Sequence, residues 1–170
     1  IIQNYIIKNL NDKRCEVPLS ALDDAAVVDG LVFSTDSYTV KPIFFPGGDI
    51  GKLSIAGTVN DISVMGGEPY ILSCSLIIEE GFPIDDLDLI MKSIKETCTE
   101  ANVYIVTGDT KVKEKNSIDK LIINTKEIKQ SMKYKIFIKT FLIFLSNTSW
   151  FSILIDLTKG RRNILFFKMC

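Results

Sequence analysis

Up to Thr125 the apolar positions recur in two periods, one of helices and one of strands, and after it the pattern dissolves. Ile2, Ile6, Ile7 and Leu10 fall at helical spacing and predict a short amphipathic helix that closes into the polar turn Asn11-Asp12-Lys13. Ala25 to Val28 and Leu31 to Thr35 are β-rich runs joined by Asp29-Gly30, the two-residue pair that hairpin turns prefer. After Phe44-Phe45-Pro46-Gly47-Gly48, Asp49 has the short acceptor side chain of an N-cap. The helix it opens is expected to turn Leu53, Ala56, Val59 or Asn60, and Val64 inward and to end near Gly66-Gly67. Tyr70 to Ile78 predicts a strand that stops at Glu79-Glu80-Gly81. A second helix is predicted from Ile84-Asp85 to Ala101, because Leu87, Ile90, Met91, Ile94, Cys98 and Ala101 share one stripe and acids occupy the first turn. Val103 to Thr107 and Leu121 to Thr125 complete the strands. Strand pairs alternating with two helices, in no strict βαβ rhythm, predict an α+β fold with helices on one face of a mixed or antiparallel β-sheet.

From Lys126 to Cys170 there is no Ala, Val or Pro, and Gly160 is the only glycine. The run from Ile136 to Ile155 is long enough to reach across a bilayer, but Lys139 and Ser146-Asn147-Thr148-Ser149 interrupt it, so a membrane span is not the expectation. A vocabulary of Ile, Phe, Lys, Leu and Asn is what an AT-rich message yields out of frame or past a truncation. The expected organisation is therefore a domain over 1–125 and an aberrant or poorly ordered apolar tail over 126–170. The chain opens at Ile1 without an initiator Met or a secretory leader, which reads as clipped rather than targeted.

With 170 residues the chain can build one well-cored domain, and its formal net charge of -1 offers no attraction to nucleic acid or an anionic membrane. The absence of histidine removes Ser-His and Cys-His nucleophiles and every His-ligated metal. Cys15, Cys74, Cys98 and Cys170 show no C-x-x-C spacing, so neither a zinc knuckle nor a dense disulfide framework is indicated and a reducing, cytoplasmic setting fits best.

The chemistry that remains lies with the acids. Asp23-Asp24 precedes a strand, Asp36 closes one in Ser34-Thr35-Asp36-Ser37, Asp61 sits in an otherwise apolar helix, and Asp109 lies in Thr107-Gly108-Asp109-Thr110. Carboxylates converging at strand ends suit a hard divalent ion such as Mg²⁺ working beside phosphates, with Thr35, Ser37 and Thr110 hydroxyls as supplements. Taken singly, Asp24, Asp36 and Asp109 are equally at home as turn or helix caps. Asp61 differs, because an ionised carboxylate between Val59, Ile62 and Val64 is desolvated unless a cation or donor meets it. The loop from Phe45 to Lys52 places open backbone and a lysine at a helix N-terminus, where anions are attracted, although it lacks the P-loop spacing. Lys111 is a second candidate counter-charge for a phosphate, or a solvated surface lysine.

Taken in order, Asp23-Asp24-Ala25-Ala26, Ser34-Thr35-Asp36-Ser37, the string from Phe44 to Lys52, Gly57-Thr58-Val59-Asn60-Asp61, Leu72-Ser73-Cys74 and the string from Val106 to Val112 resemble the N-terminal domain of the hydrogenase maturation factor family HypE. The match spans about residues 22–125 and extends, through its aspartate motifs, to the PurM-like superfamily of aminoimidazole ribonucleotide (AIR) synthetase. The resemblance implies a homodimer paired through its sheets, with ATP and Mg²⁺ as cofactors. It implies Asp24, Asp36, Asp61 and Asp109 as metal ligands, with Asp23, Asn60, Thr110 and Lys111 supporting the nucleotide. It further implies ATP-dependent dehydration of a carboxamide carried on a C-terminal cysteine, giving a thiocyanate for the cyanide ligands of [NiFe] hydrogenase. A carbamoyltransferase and an iron-carrying maturation scaffold are the implied partners. The family's glycine-rich lead, its second domain and its Pro-Arg-Ile-Cys-like ending have no counterpart here, and Cys170 follows Phe167-Lys168-Met169. Mg-ATP binding and dimerisation are thus the most that is expected of the chain itself, and catalysis by it is left open.

Overall fold

The computed structural model describes residues 1–10 and 15–130. Between Val28 and Leu31 the chain reverses through Asp29 and Gly30, whose φ angles of 50° and 72° are both positive. Two positive φ values make the turn that matches the twist of antiparallel strands, and glycine takes the second without a Cβ clash. Strand β1 (Ala26–Val28) accordingly pairs antiparallel with β2 (Leu31–Tyr38). The predicted hairpin is present, and β2 runs past Thr35 to Tyr38.

A smaller hairpin, β3 (Phe44–Phe45) with β4 (Gly48–Asp49), turns at Pro46-Gly47, where Gly47 has φ 94°. Proline before a positive-φ glycine is the type II arrangement. Asp49 then caps helix α2 (Ile50–Val64): its Oδ1 accepts the Gly51 N–H at 2.7 Å and the Lys52 N–H at 3.0 Å. Strand β5 (Ile71–Glu79), helix α3 (Ile84–Ala101), strand β6 (Tyr104–Lys113) and strand β7 (Leu121–Gln130) follow. Helix α3 ends at Asn102, which takes φ 55° and lets the Val103 N–H reach back to the Cys98 carbonyl at 2.9 Å.

The main sheet has five strands in the order β1-β2-β7-β5-β6. β5 and β6 are parallel, joined by the crossover helix α3, and the other neighbours are antiparallel. The predicted α+β architecture with a mixed sheet is therefore present. Ile50 and Ile55 of α2 and Ile90 and Ile94 of α3 pack with Leu72, Leu121 and Ile123 of the sheet in one core. Each such side chain, fully buried, contributes about 1.5–3 kcal/mol relative to exposure. The other sheet face carries exposed Leu31, Phe33 and Ile128, so both long helices lie on one side. Strand β7 continues through Lys126 to Gln130, which stands opposite Leu31.

Two sequence expectations are corrected. In α2 the buried residues are Ile50, Gly51, Ser54, Ile55, Thr58 and Ile62, whereas Leu53 and Val64 are exposed at 38% and 54%, and Ala56 is exposed as well. Small and hydroxyl side chains face the sheet and α3 because the backbones approach closely there: a Cβ on Gly51 would stand 2.7 Å from the Ile90 carbonyl oxygen. Near the N-terminus, Ile2–Ile7 is π-helical and runs into a short helix α1 (Lys8–Leu10), and Ile2, Ile6 and Leu10 remain exposed. Among the described residues no helix is long and apolar enough to cross a membrane. The expectations for the run from Ile136 to Ile155 and for Cys170 lie outside the described residues.

Candidate functional site

Strand β2 presents alternate residues to the helices, so Val32, Ser34, Asp36 and Tyr38 share the helix-facing side. Helix α2 crosses this row with its last turns, which brings Asp61 down to Ser34. The Ser34 hydroxyl donates to Asp61 Oδ2 at 3.0 Å and lies 3.3 Å from the Asp24 backbone oxygen. The Asp36 carboxyl meets that of Asp61 beside it, and the Asp24 charge adds to the field. Burial first, and then the Asp36 carboxyl, push Asp61 up to about 6, with the Ser34 hydrogen bond working against them.

Below the carboxylates a row of hydroxyls enters the core. Tyr38 Oη donates to Asp36 Oδ2 at 2.8 Å and stands 3.0 Å from Thr58 Oγ1, which is hydrogen-bonded to Thr125 Oγ1. Thr58 and Thr125 are fully buried. Burial above all lifts the Tyr38 phenol beyond its ordinary range, so it remains a proton donor across physiological pH. On the far side of β2, Asn124 Nδ2 donates to the Asp36 carbonyl at 2.8 Å and to Ser37 Oγ at 2.9 Å, fixing the strand where Asp36 leaves it.

The structure thus gathers Asp36, Asp61 and, at its exposed margin, Asp24. Asp23 is occupied locally, its Oδ1 accepting the Asp24 N–H at 3.0 Å. Asn60 is exposed on the outer side of α2. Asp109 stands elsewhere. The register aligns Asp36 with Thr125, Cys74 and Gly108, whereas Asp109 aligns with Ser75, Asn124 and Ser37 on the opposite face. Three strand spacings separate Asp36 from β6, roughly 14 Å. There Lys111 Nζ pairs with Asp109 Oδ2 at 3.0 Å and holds that carboxyl below its usual range, and Thr110 is exposed between them. Among the described residues no group of three or more acids or cysteines is placed to hold a metal ion by itself. The donors Asp36, Asp61 and Ser34 are nonetheless hard oxygens, and the crowding of two carboxylates is what a small cation with phosphate and water ligands relieves.

Gly108 explains how β6 reaches its position. A Cβ there would stand 2.1 Å from the Cys74 carbonyl oxygen, so only glycine allows β6 to pair closely with β5 beside Asp109. Cys74 itself is buried, which pushes its thiol up to about 11, and it acts as a small apolar residue. Sequence reasoning did not single out Tyr38 or Thr58. Their spacing carried the signal, since Tyr38 lies two residues beyond Asp36 on one strand face and Thr58 lies three residues before Asp61 on one helix.

Residues 22–126 match the model of the AIR synthase related protein, N-terminal domain. The carbamoyl dehydratase HypE of Escherichia coli strain K12 is 55% identical over 97 residues, which cover 57% of this chain and 29% of the relative. A HypE–HypF complex aligns with TM-score 0.72 and 47% identity over 78% of this chain and 42% of its own. A hydrogenase maturation protein HypE in complex with ATP aligns with TM-score 0.60 and 46% identity over 77% of this chain and 39% of its own. The chain spans well under half the length of the curated relatives it matches.

Proposed function

We propose that this chain, which belongs to the AIR synthase related protein family by its N-terminal domain, supplies the Mg-ATP-binding part of an ATP-dependent carbamoyl dehydratase in hydrogenase maturation. The observation that carries the reading is the meeting of Asp36 and Asp61 over Ser34, in a chain similar to a HypE described with ATP. Asp24, Asp36 and Asp61 would hold Mg²⁺ between themselves and the phosphates, with Asp23 and Asn60 at the rim. Asp109, Thr110 and Lys111 would serve the same nucleotide only through a second protomer or a ligand reaching past β7 and β5. Bound Mg-ATP supplies a phosphoryl group that activates an amide oxygen for dehydration. The chain's own carboxylates would hold the cation, whose charge would offset that of the phosphates and so fix their orientation, the terms on which phosphoryl transfer depends.

The open sheet face supports the homodimer. Phe33 stands opposite Ile128, and Ile128 opposite Ile71, giving an apolar row that water covers in one chain. The likeness to a HypE–HypF complex supports a carbamoyltransferase partner, and an iron-carrying maturation scaffold follows from the same reading. Free Cys15, Cys74 and Cys98 accord with a reducing cytoplasm. A second reading, a dimerising or docking module without nucleotide, draws on the same apolar row.

Calorimetric titration with Mg-ATP separates the two. Saturable binding that is lost in Asp61→Ala is expected. A folded chain that binds no Mg-ATP defeats the first reading and leaves sedimentation to judge the second.

A further inference from the structure

We infer that Tyr38 is a positioning residue, which sets the Asp36 carboxylate toward the cation through a chain of hydroxyls anchored in the core. The inference rests on the Mg-ATP reading above. Each hydroxyl has one proton to give. Tyr38 gives its proton to Asp36 Oδ2 at 2.8 Å, so across the 3.0 Å contact Thr58 must donate to Tyr38, and Thr125 must donate to Thr58. Every donor in the row Thr125, Thr58, Tyr38 therefore points toward Asp36. Such rows strengthen link by link, and this one begins at two side chains that are 0% exposed, where rotation is blocked by packing.

Helix α2 is shaped to receive the ring. A Cβ on Gly57 would lie 2.3 Å from Tyr38 Oη and 2.9 Å from its Cε1. Gly57 has helical backbone, so no turn calls for it, and a glycine inside a helix is less favourable than alanine. Room for Tyr38 is the gain that offsets this. Without Oη, Asp36 would keep its place on β2 but lose the bond that fixes the rotation of its carboxyl.

The test uses the full chain and reads the Mg²⁺ dependence of ATP binding by calorimetry, with thermal unfolding in parallel. Tyr38→Phe keeps the ring in its seat and removes only Oη. It is expected to raise the Mg²⁺ concentration needed for half-maximal ATP binding about tenfold, as loss of a group supporting a ligand does. ATP binding without Mg²⁺ is expected to stay unchanged. Thr58→Val, which breaks the row one link deeper, is expected to weaken Mg²⁺ use in the same direction, and Thr58→Ser to restore it; this pair decides the matter if Tyr38→Phe does not fold. Unchanged Mg²⁺ dependence in Tyr38→Phe, or a Thr58→Val defect that Thr58→Ser fails to restore, overturns the inference while the Mg-ATP reading stands. A wild-type chain with no ATP affinity overturns that reading and this inference with it.

Discussion

Asp61 Oδ2 accepts the Ser34 hydroxyl proton at 3.0 Å across the joint between α2 and β2, and that one bond ties the end of the helix to the strand that carries Asp36. The bond favours ionised Asp61, but burial and the Asp36 carboxyl outweigh it and raise the group from 3.8 to about 6. A group raised in the fold stabilises it in its protonated form. That contribution is complete below pH 3.8 and is lost as pH rises through about 6. Asp61 is partly solvated, so screening reduces its weight to on the order of 1 kcal/mol, or about 4 °C in melting temperature for a domain of this size. The metal-free chain is expected to melt lower at pH 8 than at pH 5 by about that amount, and Asp61→Asn to flatten the difference. Mg-ATP should raise the melting temperature at pH 8 far more than at pH 5, where protons compete for the carboxylate. Scanning calorimetry at the two pH values checks both, and an equal Mg-ATP effect at both would count against Asp61 as a ligand.

Gly108→Ala is expected to lower stability by about 1–3 kcal/mol, the range for forced overpacking. Its Cβ would meet the Cys74 carbonyl oxygen at 2.1 Å, and backbone cannot swing aside as a side-chain end can. The parallel pairing of β5 with β6 should open locally. Urea unfolding measures the loss, and hydrogen exchange at β6 amides should show it concentrated there; wild-type protection in β6 would contradict the account.

Particular residues show what could be foreseen from sequence. Asp29-Gly30, Asp49 and the stripe of Ile90, Ile94 and Cys98 were legible because each follows a local rule: a turn type, a cap, a helical period. The inward face of α2 was not, because Gly51, Ser54 and Thr58 turn inward through close backbone approach, while Leu53 and Val64 carry the hydrophobicity outward. Asp61 stood out as an acid in apolar surroundings, and Asp36 as one of several acids at strand ends. Tyr38 did not, since a tyrosine at a strand end is ordinary and its role depends on a helix that reaches it from Thr58. The separation of Asp109 from Asp36 depends on strand order and register, which no local window contains.

Lys111→Ala is expected to leave stability essentially unchanged, because the Lys111 and Asp109 side chains are 69% and 58% exposed and such pairs are weak. The Asp109 carboxyl should return upward toward its ordinary range once its partner is gone, which a carbon-detected NMR titration reads directly. If Lys111 meets a phosphate, Mg-ATP affinity should fall about tenfold in the same variant, the usual scale for one charged contact. Unchanged affinity together with the return of Asp109 would mark the pair as a surface ion pair with no part in nucleotide binding.

Phe33→Asp tests the open sheet face. Phe33 is 37% exposed and lies opposite Ile128, which is 48% exposed, on the side of β2 away from the helices. Exposed apolar strands left bare invite association, and a sheet-to-sheet dimer would remove this row from water in both copies. A carboxylate placed there would be stranded in such an interface, where an unpaired charge is strongly unfavourable. In one copy alone it would point into solvent and change little. Sedimentation velocity is therefore expected to show a dimer for the wild-type chain and a monomer for Phe33→Asp, with the circular dichroism of both alike. A Phe33→Asp chain that remains dimeric would argue that a different surface joins the copies, and a wild-type chain that is monomeric at concentrations where Mg-ATP binds would argue that no dimer is needed. In the monomeric case Asp109 and Lys111, on the same face, would have to meet the nucleotide within a single chain.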